Sequence, residues 1–200
     1  MSRDVARRAS TGIPPAALVL WLVGAMWLAE VADYVLPTDM DFWGIEPRTL
    51  TGLPGIVLAP FLHADFGHLA ANTVPFLVLG LLVAWRAGAQ LWRILAVITI
   101  LGGFGVWLLA PQRVITVGAS GVVFGLLGYL LAAGAITRRP LDVVLSVAVL
   151  LAYGGTLLGA TPFGVAAGVS WLAHLTGFAA GIVAAVRLAP RPAATRSVVP

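Results

Sequence analysis

Long apolar runs broken by short polar stretches make up most of this chain. Six of them, residues 13–36, 66–85, 91–109, 120–136, 141–158 and 171–188, come near the roughly 20 residues that cross a hydrocarbon core. Each predicts a membrane-spanning helix. The expected fold class is therefore an all-α membrane protein, a six-transmembrane helical bundle forming one domain over residues 13–188. Residues 1–12 and 189–200 read as polar or Pro-rich tails, the second of them disordered. The basic start before the first run could open a signal peptide, but that run is too long and lacks a small-residue cleavage site.

Composition agrees with this pattern. Of 200 residues, 60% are hydrophobic and 10% are charged, against roughly half and a quarter in a soluble domain. The net charge of +4 does not read as nucleic-acid binding, because the arginines sit at the ends of runs rather than in one patch. With no cysteine, disulfides and thiolate metal sites are excluded. Six crossings put both termini on one side. Arg3, Arg7, Arg8, Arg86, Arg93, Arg138, Arg139, Arg187, Arg191 and Arg196 fall on that side, and only Arg48 and Arg113 on the other. Loops rich in arginine face the cytoplasm, so both termini are expected there. The acidic connection from Pro37 to Leu62 is then outside, and its Phe42, Trp43 and Phe61 predict a segment lying in the membrane interface.

Four polar side chains interrupt the apolar runs: His68, Asn72, Ser120 and His174. Polar groups at membrane depth are costly unless they find partners or line a cavity. His68 and Asn72, four apart, share a helix face. His174 lies near the small-residue face of Gly177 and Gly181, and the fourth run carries a matching face in Gly121, Gly125 and Gly128. Close approach of those faces would bring His174 beside Ser120. Counting back from Arg138 to Ser120, and from Arg86 to His68, gives 18 residues in each case, or about 27 Å of helix. The four groups thus share one depth, in the outer half of the bilayer.

Ser120 stands between glycines, in Gly118-Ala119-Ser120-Gly121, where a helix begins. The first N–H groups there have no intrahelical partner and carry the positive end of the dipole. Ser120 could be only a small residue in a glycine-rich helix contact. It could also be a nucleophile with half an oxyanion hole at hand. In the second reading His174 acts as base and then acid, and the Ser120 N–H, His68 and Asn72 stabilise the oxyanion. Apart from Asp142 at the cytoplasmic end, no acid occurs in the last three runs, so this is a dyad. It needs no cofactor and no metal.

At these residues the chain resembles the rhomboid intramembrane serine proteases. The matching motifs are His68-x-x-x-Asn72, Gly118-Ala119-Ser120-Gly121 and Ala173-His174-x-x-Gly177-x-x-x-Gly181, in that order on the second, fourth and sixth runs. Gly44-Ile45-Glu46-Pro47-Arg48 and His63 are similar too. The resemblance implies a bundle of rhomboid type, Ser120 as nucleophile, His174 as base, and His68 with Asn72 as oxyanion stabilisers. It implies single-span transmembrane proteins as substrates, cut near the outer face, and the lipid bilayer of a bacterial plasma membrane as the setting. Many relatives have Trp-Arg in the first outer loop, where Gly44 follows Trp43 here. Many have a Tyr stacking on the histidine, where this chain has Phe124. The alternative is an inactive rhomboid-like protein that binds transmembrane helices. A transporter is disfavoured, since no duplicated three-span pattern is present. Substrate entry is expected beside the fifth run, which has few polar side chains to tie it to neighbours. Phe163, the one bulky residue of the loop after it, is expected to plug the site.

Overall fold

The computed structural model describes residues 13–165 and 168–190. The expected tails lie outside these residues, except for Ala189 and Pro190. Seven α-helices follow in order among the described residues: α1 (Pro15–Val35), α2 (Gly55–Leu58), α3 (Phe66–Ala87), α4 (Leu91–Leu109), α5 (Ser120–Thr137), α6 (Pro140–Tyr153) and α7 (Trp171–Leu188). Among the described residues, five helical stretches are long and apolar enough to cross a membrane. One of them, Phe66–Leu109, holds both α3 and α4, joined by a 3-10 turn after Gly88 at φ +53°. The protein is an all-helical bundle of membrane-spanning type.

Local chemistry sets the helix ends. Pro15 and Pro140 open α1 and α6, where their missing N–H costs no hydrogen bond. Asp65 caps α3 by accepting from the His68 N–H at 2.7 Å, which holds the turn carrying His68 in place. Arg138, at φ +51°, closes α5 in the left-handed conformation.

Helix α5 is the axis of the bundle. Every residue from Val122 to Leu130 is buried, so this helix is enclosed on all sides. Between lipid-facing helices there is no hydrophobic drive, and association depends on close packing. Here α5 and α7 meet backbone to backbone. A Cβ on Gly177 would lie 2.0 Å from the Gly121 carbonyl oxygen, and one on Gly181 would lie 1.9 Å from that of Gly125. Only glycine fits there, and Cα–H groups can then approach carbonyl oxygens directly.

The connection from Pro37 to Leu62 is a folded unit. Ile45 and Thr116 exchange both backbone hydrogen bonds, at 2.9 and 3.0 Å. The Arg48 guanidinium donates to the carbonyl oxygens of Leu108 and Ala110 at 2.9 and 2.7 Å, satisfying groups left open at the end of α4. Trp107 Nε1 donates to the Thr49 carbonyl at 2.8 Å. Ile45 and Ile56 are buried, while Phe42 and Trp43 remain exposed. The segment thereby clamps the stretch that leads into Ser120.

The fifth run differs from expectation. Its α-helix ends at Tyr153, and residues Gly154–Ala160 continue as 3-10 turns, so Gly159 belongs to this extension and not to a loop. Nor is packing all that holds it. The Arg86 guanidinium pairs with Asp142 Oδ1, and Thr137 Oγ1 donates to Asp142 Oδ2 at 2.8 Å. Ser146 Oγ donates to the Leu130 carbonyl at 2.7 Å, filling the space left by Gly134. These ties all lie toward the end near Pro140. Phe163 is 96% exposed, so its side chain does not plug the site.

Candidate active site

The approach to Ser120 depends on one backbone angle. Gly118 has φ +112°, a region that side-chain-bearing residues rarely adopt. A Cβ there would also lie 2.7 Å from His68 Cε1 and 2.9 Å from His68 Nε2. Glycine thus serves twice, turning the chain into α5 and leaving room for the His68 ring. Asn72 stands behind that ring, its Nδ2 donating to the His68 carbonyl at 3.0 Å and lying 3.9 Å from the same Gly118 Cβ position. His68 and Asn72 therefore gather at the entry to α5, from one face of α3.

Two amides ahead of Ser120 are already engaged. Gly118 N–H donates to the Ala59 carbonyl at 2.9 Å, and Ala119 N–H to His63 Nε2 at 3.4 Å. Ser120 follows as the first residue of α5, with helix geometry leaving its first-turn amides unpaired within the helix. His63 is 1% exposed and lies edge-on to His68, with ring centroids 5.1 Å apart. Burial, and then the nearby His68, depress its pKa to about 4. A neutral His63 can accept from Ala119, so it acts here as a fixed acceptor under the turn.

On α7, Ser170 caps the helix by accepting from Ala173 N–H at 3.2 Å. His174 follows in the first turn and is buried. Its ring lies flat on Phe124, with centroids 4.1 Å apart and planes at 5°. Nδ1 is 2.8 Å from the Gly159 carbonyl oxygen, and Nε2 is buried without a partner among the described residues. The Gly121 Cβ position lies 3.3 Å from the Ala173 carbonyl oxygen. The residues next to Ser120 and His174 in the chain are thus in contact across α5 and α7.

The model of the Rhomboid domain matches residues 51–191, well over half of the chain. The chain belongs to the rhomboid family. An uncharacterized protein of Mycobacterium tuberculosis is 42% identical over 176 residues, covering 85% of this chain and 73% of the relative. An uncharacterized protein of Mycobacterium leprae is 38% identical over 185 residues, covering 90% and 73%. As a rhomboid with several long apolar helices, the chain is an integral membrane protein. The family is one of serine proteases that also includes inactive members.

Sequence reasoning about this rhomboid missed the Gly159 carbonyl altogether. A backbone oxygen carries no residue-type signal, and only the fold of the turn brings it to His174. The hydrogen bond from Ala119 to His63 was equally invisible, since 56 residues separate the partners.

Proposed function

We propose that this rhomboid is an intramembrane serine endopeptidase that cuts transmembrane segments near the outer face of a bacterial plasma membrane. Ser120 is the nucleophile. His174 removes its proton as base and returns it to the leaving amine as acid. The Ser120 N–H, with His68 and Asn72, stabilises the oxyanion. The observation that carries this reading is the state of His174: stacked on Phe124, held at Nδ1, and free at Nε2 in the layer where α7 meets the start of α5.

The chain crosses the membrane six times with both termini in the cytoplasm. The 44-residue stretch from Phe66 to Leu109 would measure about 66 Å as one rod, twice the roughly 30 Å core. A turn at Gly88 makes two crossings of it. Substrates are single-span proteins that enter from the lipid beside α6, the least buried of the long apolar stretches. Local unwinding then exposes the scissile carbonyl.

Labelling with a fluorophosphonate, alongside cleavage of a model transmembrane substrate in lipid nanodiscs, tests the reading. Wild-type protein labels at Ser120 and cleaves. Ser120→Ala and His174→Ala keep the fold and lose turnover, whereas His68→Ala or Asn72→Ala slows it by up to about 10²–10³. Wild-type turnover in Ser120→Ala would remove the assignment.

A further inference from the structure

The dyad leaves one contact at the site without a role. The Gly159 carbonyl oxygen lies 2.8 Å from Nδ1 of His174. A carbonyl oxygen can only accept, so Nδ1 carries the hydrogen and the lone pair falls on Nε2. In a triad that work is done by an acidic side chain, whose loss leaves the wrong tautomer and costs about 10⁴ in rate. No acid is available for it here: Asp142 is the only one after Asp65, and it is paired with Arg86 at the far end of α6.

The carbonyl also sits on an element with an asymmetric attachment. The foot of α6 is tied by Asp142 to Arg86 and Thr137, and by Ser146 to Leu130. Its far end continues into 3-10 turns, whose hydrogen-bond geometry is poorer than that of an α-helix. Leu151 and Leu158 there are 82% and 67% exposed. Among the described residues, the hydrogen bond to His174 is the polar link from this extension to another helix.

We propose that the Gly159 carbonyl is the positioning group for His174, and that it holds the reactive tautomer only while the far end of α6 is closed over the site. The inference rests on the protease reading of Ser120 and His174. Displacing α6 to admit a substrate helix breaks the Nδ1–H···O=C bond and frees the imidazole to change tautomer. Return of the turn restores the lone pair at Nε2. Cleavage therefore waits for closure, and a helix that enters but keeps α6 displaced is bound without being cut.

Nitrogen NMR of full-length protein in nanodiscs, labelled with 15N-histidine and assigned by loss of signal in His174→Asn, reads the tautomer directly. The wild type is expected to show His174 protonated at Nδ1. An ester in place of the Gly159–Ala160 peptide, introduced as lactate at position 160, keeps the Gly159 side of the site and weakens its carbonyl as acceptor. The expected result is a mixed tautomer and a kcat about tenfold lower, with KM nearly unchanged, as for one weakened neutral hydrogen bond. Gly164→Ala gives a second route, since its Cβ would lie 1.9 Å from the Leu158 carbonyl oxygen and must push the turn off His174. Gly155→Ala, which points into open space, keeps the wild-type tautomer and rate. His174 protonated at Nε2 in the wild type overturns the proposal. So does a wild-type tautomer and kcat in both the ester and Gly164→Ala proteins. A variant-sensitive Nδ1–H tautomer without any cleavage by the wild type upholds the carbonyl's hold on the ring and overturns the protease reading instead.

Discussion

His63 shows how a buried residue beside the proposed dyad can make stability depend on pH. Its ring is enclosed, accepts from the Ala119 N–H and cannot be protonated at Nε2 without breaking that contact. With a folded-state pKa near 4 against 6.5 in the unfolded chain, the unfolded form binds more protons between those values. Stability is complete above about pH 6.5 and falls as the pH drops toward 4, by at most about 3 kcal/mol from this group. Thermal unfolding of wild type and His63→Asn in nanodiscs between pH 4 and 8 checks it. The wild type is expected to lose melting temperature faster on acidification than the variant. Parallel profiles for the two proteins would show that His63 does not carry the dependence. Gly118 is the companion case, because both its positive φ and the His68 ring beside it demand glycine.

Among the elements, the pairing of α5 and α7 has the tightest tolerance. Gly177→Val would drive a β-branched side chain into the Gly121 carbonyl, from which even a Cβ would be 2.0 Å away. Overpacking of this kind costs about 1–3 kcal/mol or more, and it parts α7 from the start of α5. Lower melting temperature together with lost turnover is the expected outcome. Gly24→Ala on α1, where nothing lies within 4 Å, is the control and gains up to about 1 kcal/mol of helix propensity. Equal melting of Gly177→Val and wild type would contradict backbone contact between these helices. The foot of α6 makes a second element-scale prediction. Arg86 and Asp142 form a partly buried pair with a third partner in Thr137, so a double-mutant cycle of Arg86→Ala and Asp142→Ala is expected to give a coupling of about 1 kcal/mol or more. Strict additivity would mean that this pair does not hold α6.

At the scale of the whole molecule, the bundle divides into a closely packed part and one that is largely exposed. The axis helix α5, with α4 and α7 around it, is joined by backbone contact and by the folded segment between α1 and α3 that Arg48 and Trp107 bind to the end of α4. Along α1 the link is lighter, with Trp27 Nε1 donating to Thr73 Oγ1 at 3.1 Å. Helix α6 is tied by side chains at its Pro140 end, by the Gly159 carbonyl beyond its other end, and is exposed along most of its length. Because the chain has no cysteine, a pair introduced on α6 and α3 can be crosslinked without a background. Crosslinking is expected to block cleavage of intact transmembrane substrates and to release it on reduction. Unchanged turnover of the locked protein would place substrate entry elsewhere.

The amino-acid sequence by itself determined where the helices lie and which of their faces carry polar or small groups. The helices Leu91–Leu109 and Trp171–Leu188 coincide with their apolar runs, because in lipid a backbone must satisfy its hydrogen bonds within the segment. The spacing of His68 and Asn72, and of Gly177 and Gly181, was legible for the same reason: a helix converts spacing into a face. What the sequence did not hold was any contact made by backbone atoms or across long separations. The grip of Gly159 on His174, the acceptance by His63 from Ala119 and the clamp of Arg48 on α4 each join a group of no distinctive residue type to a distant partner. Phe163 fails in the opposite sense, since a bulky residue beside a site fills it only if the turn directs it inward. Local rules fix the helices, whereas the direction of carbonyls and turns is decided only when the helices pack.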